Sequence, residues 1–304
     1  MSLVVTNADR IVYPETGHTK GDVVEHYRRF AERILPHTRD RPLTLRRYPK
    51  GVAEQGFFQK NVPPHYPASM RRIEVPRRDG VTVHPCASER EHLPYLANQG
   101  VIELHVPAST AASLYYPDRF VIDLDPPQGA LDLVRKAAHA VRDELQRFGL
   151  PTIPVATGSK GYHLVAAIEP RLGADAIALA AQQVGQLLAQ RHPNDLTTTF
   201  RVASRGERVF VDWLRNVLPA TVIAPFSLRA RARPTVAVPI GWDELDAVPP
   251  DGFDIETSRA RLDRMDPLAS LAQSPVDPTP FARAVGDAFK ESGLELEGFD
   301  RFRS

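Results

Sequence analysis

Two aspartates at alternate positions, Asp123 and Asp125, end the run Arg119-Phe120-Val121-Ile122-Asp123-Leu124-Asp125-Pro126-Pro127. The run is apolar and β-prone, and successive strand residues point to opposite faces. Both carboxylates therefore project from one face while Leu124 points into the core. At about 3.3 Å per residue their Cα atoms lie roughly 6.5–7 Å apart. Converging carboxylates at that spacing can share two metal ions about 3.5–4 Å apart. Proline cannot continue a central strand, so the pair sits at a strand end, where α/β sheets commonly bind ligands. Taken alone, such a pair is more often a surface turn with two solvated aspartates.

Other stretches supply what a metal-assisted phosphate chemistry needs. Arg208-Val209-Phe210-Val211-Asp212-Trp213-Leu214 reads as a mostly buried strand broken by Asp212. A buried carboxylate is costly unless paired or metal-bound, which makes Asp212 a natural third ligand. Thr157-Gly158-Ser159-Lys160-Gly161-Tyr162-His163 lies between two strand-like segments. Its glycines let backbone N–H groups approach an anion, its hydroxyls and Lys160 can donate to phosphate oxygens, and His163 can orient a triphosphate. It is not a Walker A loop, and a polar β-hairpin is the competing reading. Phe57-Phe58, followed by Lys60, cannot put both rings on one core face. Exposed rings beside cations form the usual platform for stacking bases, although two rings packed in different layers would read the same way. Thr19-Lys20-Gly21-Asp22 resembles a capping box, which places Lys20 at a helix N-terminus that favours an anion. A lysine there is otherwise simply solvated.

The surrounding elements follow from periodicity and punctuation. Residues 3–6 and 10–13 read as short extended pieces. Val23, Tyr27, Phe30 and Ile34 recur at helical spacing until Pro36 closes the segment. Pro42 to Arg47 reads as a strand, and 61–86 as loop with short strands. A short helix runs from Ser88, as cap, to Asn98. Ile102-Glu-Leu-His-Val106 alternates cleanly and is expected to pair beside the Asp123 strand, with His105 half-exposed. Leu131 to Phe148 makes an amphipathic helix ended by Gly149, and 173–192 a second, Ala-rich one. Beyond Val238 the chain is broken by prolines and acidic, with a short helix at Trp242, and reads as scaffolding around the core. No repeat or composition shift marks a domain boundary, so 1–304 is read as one domain. Its DNA-contacting part is about 1–100, its catalytic core about 101–240 and its wrapping segment about 241–304.

Composition restricts the function classes. Cys86 is the only cysteine, which excludes an intramolecular disulfide and a Cys-based metal site and suits a reducing compartment. No apolar stretch approaches the roughly 20 residues of a membrane span, so the expected location is cytoplasmic. The net charge of +1 does not advertise a nucleic-acid binder. Its distribution does more, with basic clusters at 39–50, at Arg71/Arg72/Arg77/Arg78, at 201–208 and at Arg229/Arg231/Arg233.

In combination, F-F-x-K, a strand ending D-L-D-P, T-G-S-K-G-x-H, V-F-V-D-W-x-x-N and A-P-F-S-x-R resemble the polymerase domain of bacterial DNA ligase D. That domain belongs to the archaeo-eukaryotic primase superfamily, and the similarity runs from about Val5 to about Leu245. The resemblance implies an α/β (α+β) fold with a primase-like catalytic core and a mixed or antiparallel sheet flanked by helices. It implies a polymerase that extends primer 3′ ends at gaps or breaks in end joining, often with ribonucleotides, using two divalent ions, Mn²⁺ or Mg²⁺. Asp123, Asp125 and Asp212 would hold the metals, and Thr157, Ser159, Lys160 and His163 the NTP or dNTP. Phe57 and Phe58 would stack on the template, and Lys20 with Arg10 would receive a downstream 5′-phosphate. Arg47, Lys60 and Arg229 would contact nucleotide or backbone.

The departures are specific. Arg10 replaces the family's usual lysine, Thr157 its usual serine, and Ala220 stands where a basic residue is common. The 107–119 segment looks shorter than in many relatives. No ligase motif follows, so a stand-alone, monomeric, nucleoid-associated polymerase is expected, with a Ku-like end binder and a separate ligase as partners. The alternatives are a primase that starts strands, a haloacid-dehalogenase-type phosphatase, and a non-catalytic end-binding module.

Overall fold

The computed structural model describes residues 3–77 and 80–298. Arg78, one of the clustered arginines, lies outside the described residues. The chain begins with a small antiparallel pair, β1 (Ile11–Tyr13) and β2 (His18–Thr19), followed by helices α1 (Lys20–Arg29) and α2 (Ala31–Thr38). Strands β3 (Thr44–Arg47) and β4 (Phe57–Gln59), the hairpin β5 (Arg71–Arg77)–β6 (Gly80–Cys86), α3 (His92–Asn98) and β7 (Val101–Val106) come next. Then follow β8 (Arg119–Asp125), α4 (Leu131–Arg147), β9 (Ile153–Ala156), β10 (Tyr162–Ala167) and α5 (Ala174–Arg191). Strands β11 (Leu196–Thr197), β12 (Val209–Asp212), β13 (Val222–Ile223) and β14 (Val238–Pro239) precede α6 (Pro267–Leu271) and α7 (Pro278–Glu291). The result is a mixed α/β fold whose two larger sheets are antiparallel apart from the β11–β12 pair.

The six-stranded sheet has the order β11-β12-β8-β10-β9-β14, which puts β8 at its centre. On one face of β8, Phe120, Ile122 and Leu124 enter the main core with Val134, Ala138, Val141 and Leu145 of α4. On the other face Val121 packs with Val155, Val165 and Leu268 in a small separate cluster. Alternation places Asp123 and Asp125 on this second face, with Leu124 fully buried on the first. The second sheet has the order β13-β7-β3-β4.

Local expectations differ from the structure in five places. β7 does not pair beside the Asp123 strand: its neighbours are β3 and β13, because alternation marks a half-buried strand but carries no partner information. Pro36 lies inside α2, and the helical run breaks instead at Phe30, which caps α1 and opens α2. Ser88 does not cap α3: the helix starts later, and the Ser88 and Glu89 amides donate to Nδ1 of His92. Residues 3–6 form no strand, and Trp242 sits in turns, its indole donating to the Thr152 carbonyl. The capping box at α1 does form: Thr19 and Asp22 satisfy each other's backbone amides.

The motif Ala224-Pro225-Phe226-Ser227 is the joint between α1 and the second sheet. Phe226 adopts φ 62°, a left-handed conformation uncommon for a bulky residue. Its ring stacks on Phe30, and its carbonyl accepts from Nε2 of His26 at 2.9 Å. Ser227 Oγ accepts from the Leu104 amide at 2.9 Å and lies 3.0 Å from the Tyr27 hydroxyl. Burial holds His26 neutral, with its pKa lowered to about 4, and its Nδ1 is buried without a partner. Between pH 6.5 and 4 the unfolded chain takes up a proton that the folded chain refuses. This stability is therefore complete above about pH 6.5 and is lost as pH falls toward 4, on the order of 3 kcal/mol. His26→Gln keeps the donor to Phe226, so it should flatten the fall in melting temperature across that window.

Candidate active site

Pairing register builds the acidic centre. Asp212 on β12 stands opposite Asp123 on β8, and His163 on β10 stands opposite Asp123 on the other side. One row across three strands thus reads His163, Asp123, Asp212, and Asp125 follows two residues on, on the same face. Asp123, Asp125 and Asp212 each offer an oxygen within 4.8 Å of the others. Hard carboxylate oxygens converging in this way fit Mg²⁺ or Mn²⁺ rather than soft-metal chemistry.

Two cations, Arg215 and Lys160, and the imidazole of His163 surround the cluster. Arg215 lies 3.0 Å from both Asp123 and Asp212. His163 Nε2 is 3.5 Å from Asp123, and Lys160 Nζ is 3.5 Å from Asp125. Burial would raise the Asp123 carboxyl, but His163 and then Arg215 outweigh it and hold it below the usual carboxylate range. Burial pushes Asp212 up to about 6, Arg215 opposing and the Asp123 charge adding to the rise. Sequence reasoning missed Arg215, and its signal was a cation three residues beyond a carboxylate in a buried segment. Asn216, the last letter of V-F-V-D-W-x-x-N, is structural. Its side chain donates to the Val121 carbonyl at 2.6 Å and accepts from the Val121 amide at 2.8 Å, extending the ladder past Asp212.

Residues 157–161 form the hairpin turn between β9 and β10, with Tyr162 and His163 opening β10 beside the cluster. The Thr157 hydroxyl donates to the Gly161 carbonyl at 2.6 Å, so it closes the turn instead of pointing outward. Gly158 has φ 69°, and a Cβ there would meet the Arg229 side chain at 2.7 Å. Gly161 is more constrained still, since a Cβ would sit 1.8 Å from the Leu124 carbonyl. Ser159 accepts from Arg231 at 2.6 Å, while Lys160 is exposed and donates to the Pro126 carbonyl at 3.2 Å. Lys160, Arg231 and Arg233 line an open cleft of about 520 Å³ together with Pro249 and Pro250. Arg231 and Arg233 appeared in sequence only as part of a basic cluster.

Arg229 ties this hairpin to the second sheet. It donates to the Thr157 carbonyl at 3.1 Å and to Glu103 at 3.2 Å. Glu103 is 1% exposed and also receives His105, the Ala230 amide and Arg46. Burial opposes its ionisation, but His105 and Arg229 hold it well below the ordinary range. Glu103 was visible in the sequence only as one residue of an alternating strand.

The aromatic pair behaves as an open platform. Phe57 and Phe58 are 47% and 59% exposed on the edge strand β4. Arg47 lies over Phe57 and Arg46 over Phe58, and His105 meets Phe58 edge-on. Arg47 is otherwise committed to the Gln99 carbonyl and Gln59. Lys60 is not brought to the hairpin; it lines a different cavity with Thr44 and His84. Lys20 is buried and donates to the carbonyl and hydroxyl of Thr6 at 2.7 and 2.8 Å. Burial, then the neighbouring Arg10, lowers its pKa, and Nε of Arg10 is buried without a partner.

Residues 19–268 match the family model described as LigD, primase-polymerase domain. The chain is 39% identical over 253 residues to the multifunctional non-homologous end joining DNA repair protein LigD of Mycobacterium tuberculosis, covering 80% of this chain and 33% of that protein. It is 35% identical over 299 residues to LigD of Mycolicibacterium smegmatis, covering 94% and 38%. The chain therefore spans little more than a third of these relatives' length. Its structure matches that of the polymerase domain from Mycobacterium tuberculosis ligase D in complex with DNA, with a TM-score of 0.83 and 34% identity, over 90% of this chain and 99% of that one. On the extent of that model and on these identities, the chain belongs to the LigD primase-polymerase domain family.

Proposed function

We propose that this chain is a template-directed nucleotidyltransferase that adds NTPs or dNTPs to primer 3′ ends at gaps and breaks during end joining. The observation that carries the reading is the acidic row set against a cation-lined hairpin. Three carboxylates converge on one face while Lys160, Arg231 and Arg233 line the adjoining cleft. That is the charge pattern required by a triphosphate and its leaving pyrophosphate. The family and the end-joining role of its mycobacterial relative support the same reading.

Asp123, Asp125 and Asp212 would hold two divalent ions, Mn²⁺ or Mg²⁺. Bound there, the ions lower the pKa of the primer 3′-hydroxyl and neutralise charge on the triphosphate. His163, beside Asp123, orients that carboxylate, and Arg215 keeps Asp123 and Asp212 together. Lys160 and Arg231 stabilise charge developing on the outer phosphates, and Ser159 is held by Arg231 to face them. Arg229 fixes the hairpin from behind, through Thr157. Phe57 and Phe58 stack on the template, each backed by an arginine. Arg10 and Lys20, which have no acidic partner among the described residues, take the 5′-phosphate across a gap. The neighbouring guanidinium and ammonium groups repel one another until an anion arrives.

Asp125→Ala should abolish extension of a primed template supplied with Mn²⁺ and nucleotides while its melting temperature stays near wild type. Extension at a near wild-type rate would remove the assignment, and omitting the primer from the same reactions shows whether strands are also initiated. Arg215→Ala leaves two facing buried carboxylates, so the metal-free protein should lose about 1–3 kcal/mol of stability. Adding Mn²⁺ should restore most of it in a thermal melt. Lys20→Ala should reduce the preference for gaps carrying a 5′-phosphate by about tenfold, on the scale of a charge-assisted contact. Competition between phosphorylated and unphosphorylated gaps measures this, with a parallel melt to account for the buried Thr6 contacts.

A further inference from the structure

A cavity of about 310 Å³ lies between β3, the β5–β6 hairpin and the loops at 107–115 and 218–221. None of the residues placed around the metal cluster lines it. Its walls are largely proline and aliphatic, with Tyr115 at the rim, 57% exposed, and Lys60 and Arg77 beside it. Two polar groups distinguish it from an apolar crevice. Ser109 is 1% exposed, and its Oγ is buried without a hydrogen-bond partner. His84 is also buried, and its Nδ1 must donate to the Leu43 carbonyl at 3.0 Å, which leaves Nε2 as an acceptor. Burial keeps that imidazole neutral, and the nearby Lys60 acts in the same direction. An apolar slot of this size with a few convergent polar atoms is how proteins hold a flat heterocycle.

Strand register connects the slot to the aromatic platform. Phe58 pairs with Arg46, and Thr44, two residues earlier on β3, pairs with His105. Directly opposed residues share a face, and so do alternate ones, so Phe58, Arg46, Thr44 and His105 lie on one surface. Thr44 lines the slot, about 6.5–7 Å along β3 from Arg46. Lys60 follows Phe58 by two positions and lines it as well. A single strand stacked on Phe57 and Phe58 would meet the slot at its next unpaired nucleotide, with Lys60 and Arg77 placed for the backbone.

We propose that this cavity receives the flipped-out base of the unpaired nucleotide next to the Phe57–Phe58 platform. Tyr115 and the prolines sandwich the ring, and Ser109 and His84 read its edge. Seating the base there would hold the single strand in register while the neighbouring position is copied. The inference rests on the proposed DNA-end function, and it adds a specificity site outside the catalytic cluster.

The test uses the wild-type protein without nucleotides and a duplex with an oligo-dT single-stranded extension. One 2-aminopurine is placed at successive positions of that extension. Beyond the change at the positions stacked on Phe57 and Phe58, which Phe57→Ala/Phe58→Ala removes, a fluorescence change on binding should appear at one further position only. That further change should be lost in Thr221→Phe and in Leu114→Trp, which fill the cavity mouth from half-buried loop positions. Both variants should bind the extension about tenfold more weakly, the scale of one stacked base, and bind blunt duplex as wild type does. Ser109→Ala should alter the order of preference among the four bases at that position. No such further response, or one that survives in both filled variants, overturns the inference. If wild type extends primers and binds the extension without such a response, only the cavity assignment falls; if it does neither, the proposed function falls with it.

Discussion

The structure depends on holding three carboxylates together where water cannot fully screen them. Asp123 and Asp212 face each other across β8 and β12, and both are buried. Like charges at that distance disfavour folding unless cations offset them. Arg215 bridges the two, His163 flanks Asp123 from β10, and Lys160 reaches Asp125. These three side chains come from separate segments, which the pairing of β8 with β10 and β12 brings together. The antiparallel registers on both sides of β8 set His163, Asp123 and Asp212 in one row.

A second buried carboxylate does the corresponding work between sheets. Glu103 collects Arg229, His105, Arg46 and the Ala230 amide, so none of its oxygens is left unpaired in a dry interior. Through Arg229 it reaches the Thr157 carbonyl and hence the turn between β9 and β10. Through Arg46 and His105 it reaches Phe58. The aromatic platform and the acidic row lie on different sheets, and this one side chain couples them. Phe226, with its left-handed backbone, and Arg229 lie on one segment, whose amides donate to the Ala237 and Thr235 carbonyls.

What was legible in the sequence was local. The Thr19–Asp22 box, the helix ended at Gly149, the strand ended at Pro126 and the turn rich in glycine all depend on neighbours in the chain, and they appear as read. Motif order identified the family before any geometry was available. The misreadings share a cause as well. β7 was placed beside the wrong strand because its pattern of alternate burial is the same in any sheet. Lys20 and Thr157 looked like free donors because sequence shows a donor but not the acceptor that occupies it. Glu103 and Arg215 escaped notice because the partners that give them their roles, Arg229 and Asp123, lie far along the chain.

By itself, then, the sequence determined the chemistry available. It supplied three aspartates with hard oxygen donors, a turn able to approach an anion, paired exposed phenylalanines and clustered arginines. Residue type and short-range spacing are enough for that, because backbone propensity and side-chain functionality are properties of the residue and its near neighbours. Only the tertiary structure decided which groups act together. Asp212 joins Asp123 by strand pairing, Arg215 neutralises both, and Lys60 is separated from the β9–β10 hairpin and set beside Ser109 and His84. Those outcomes depend on strand order and register, which are fixed by burial across the whole core and are written in no single segment.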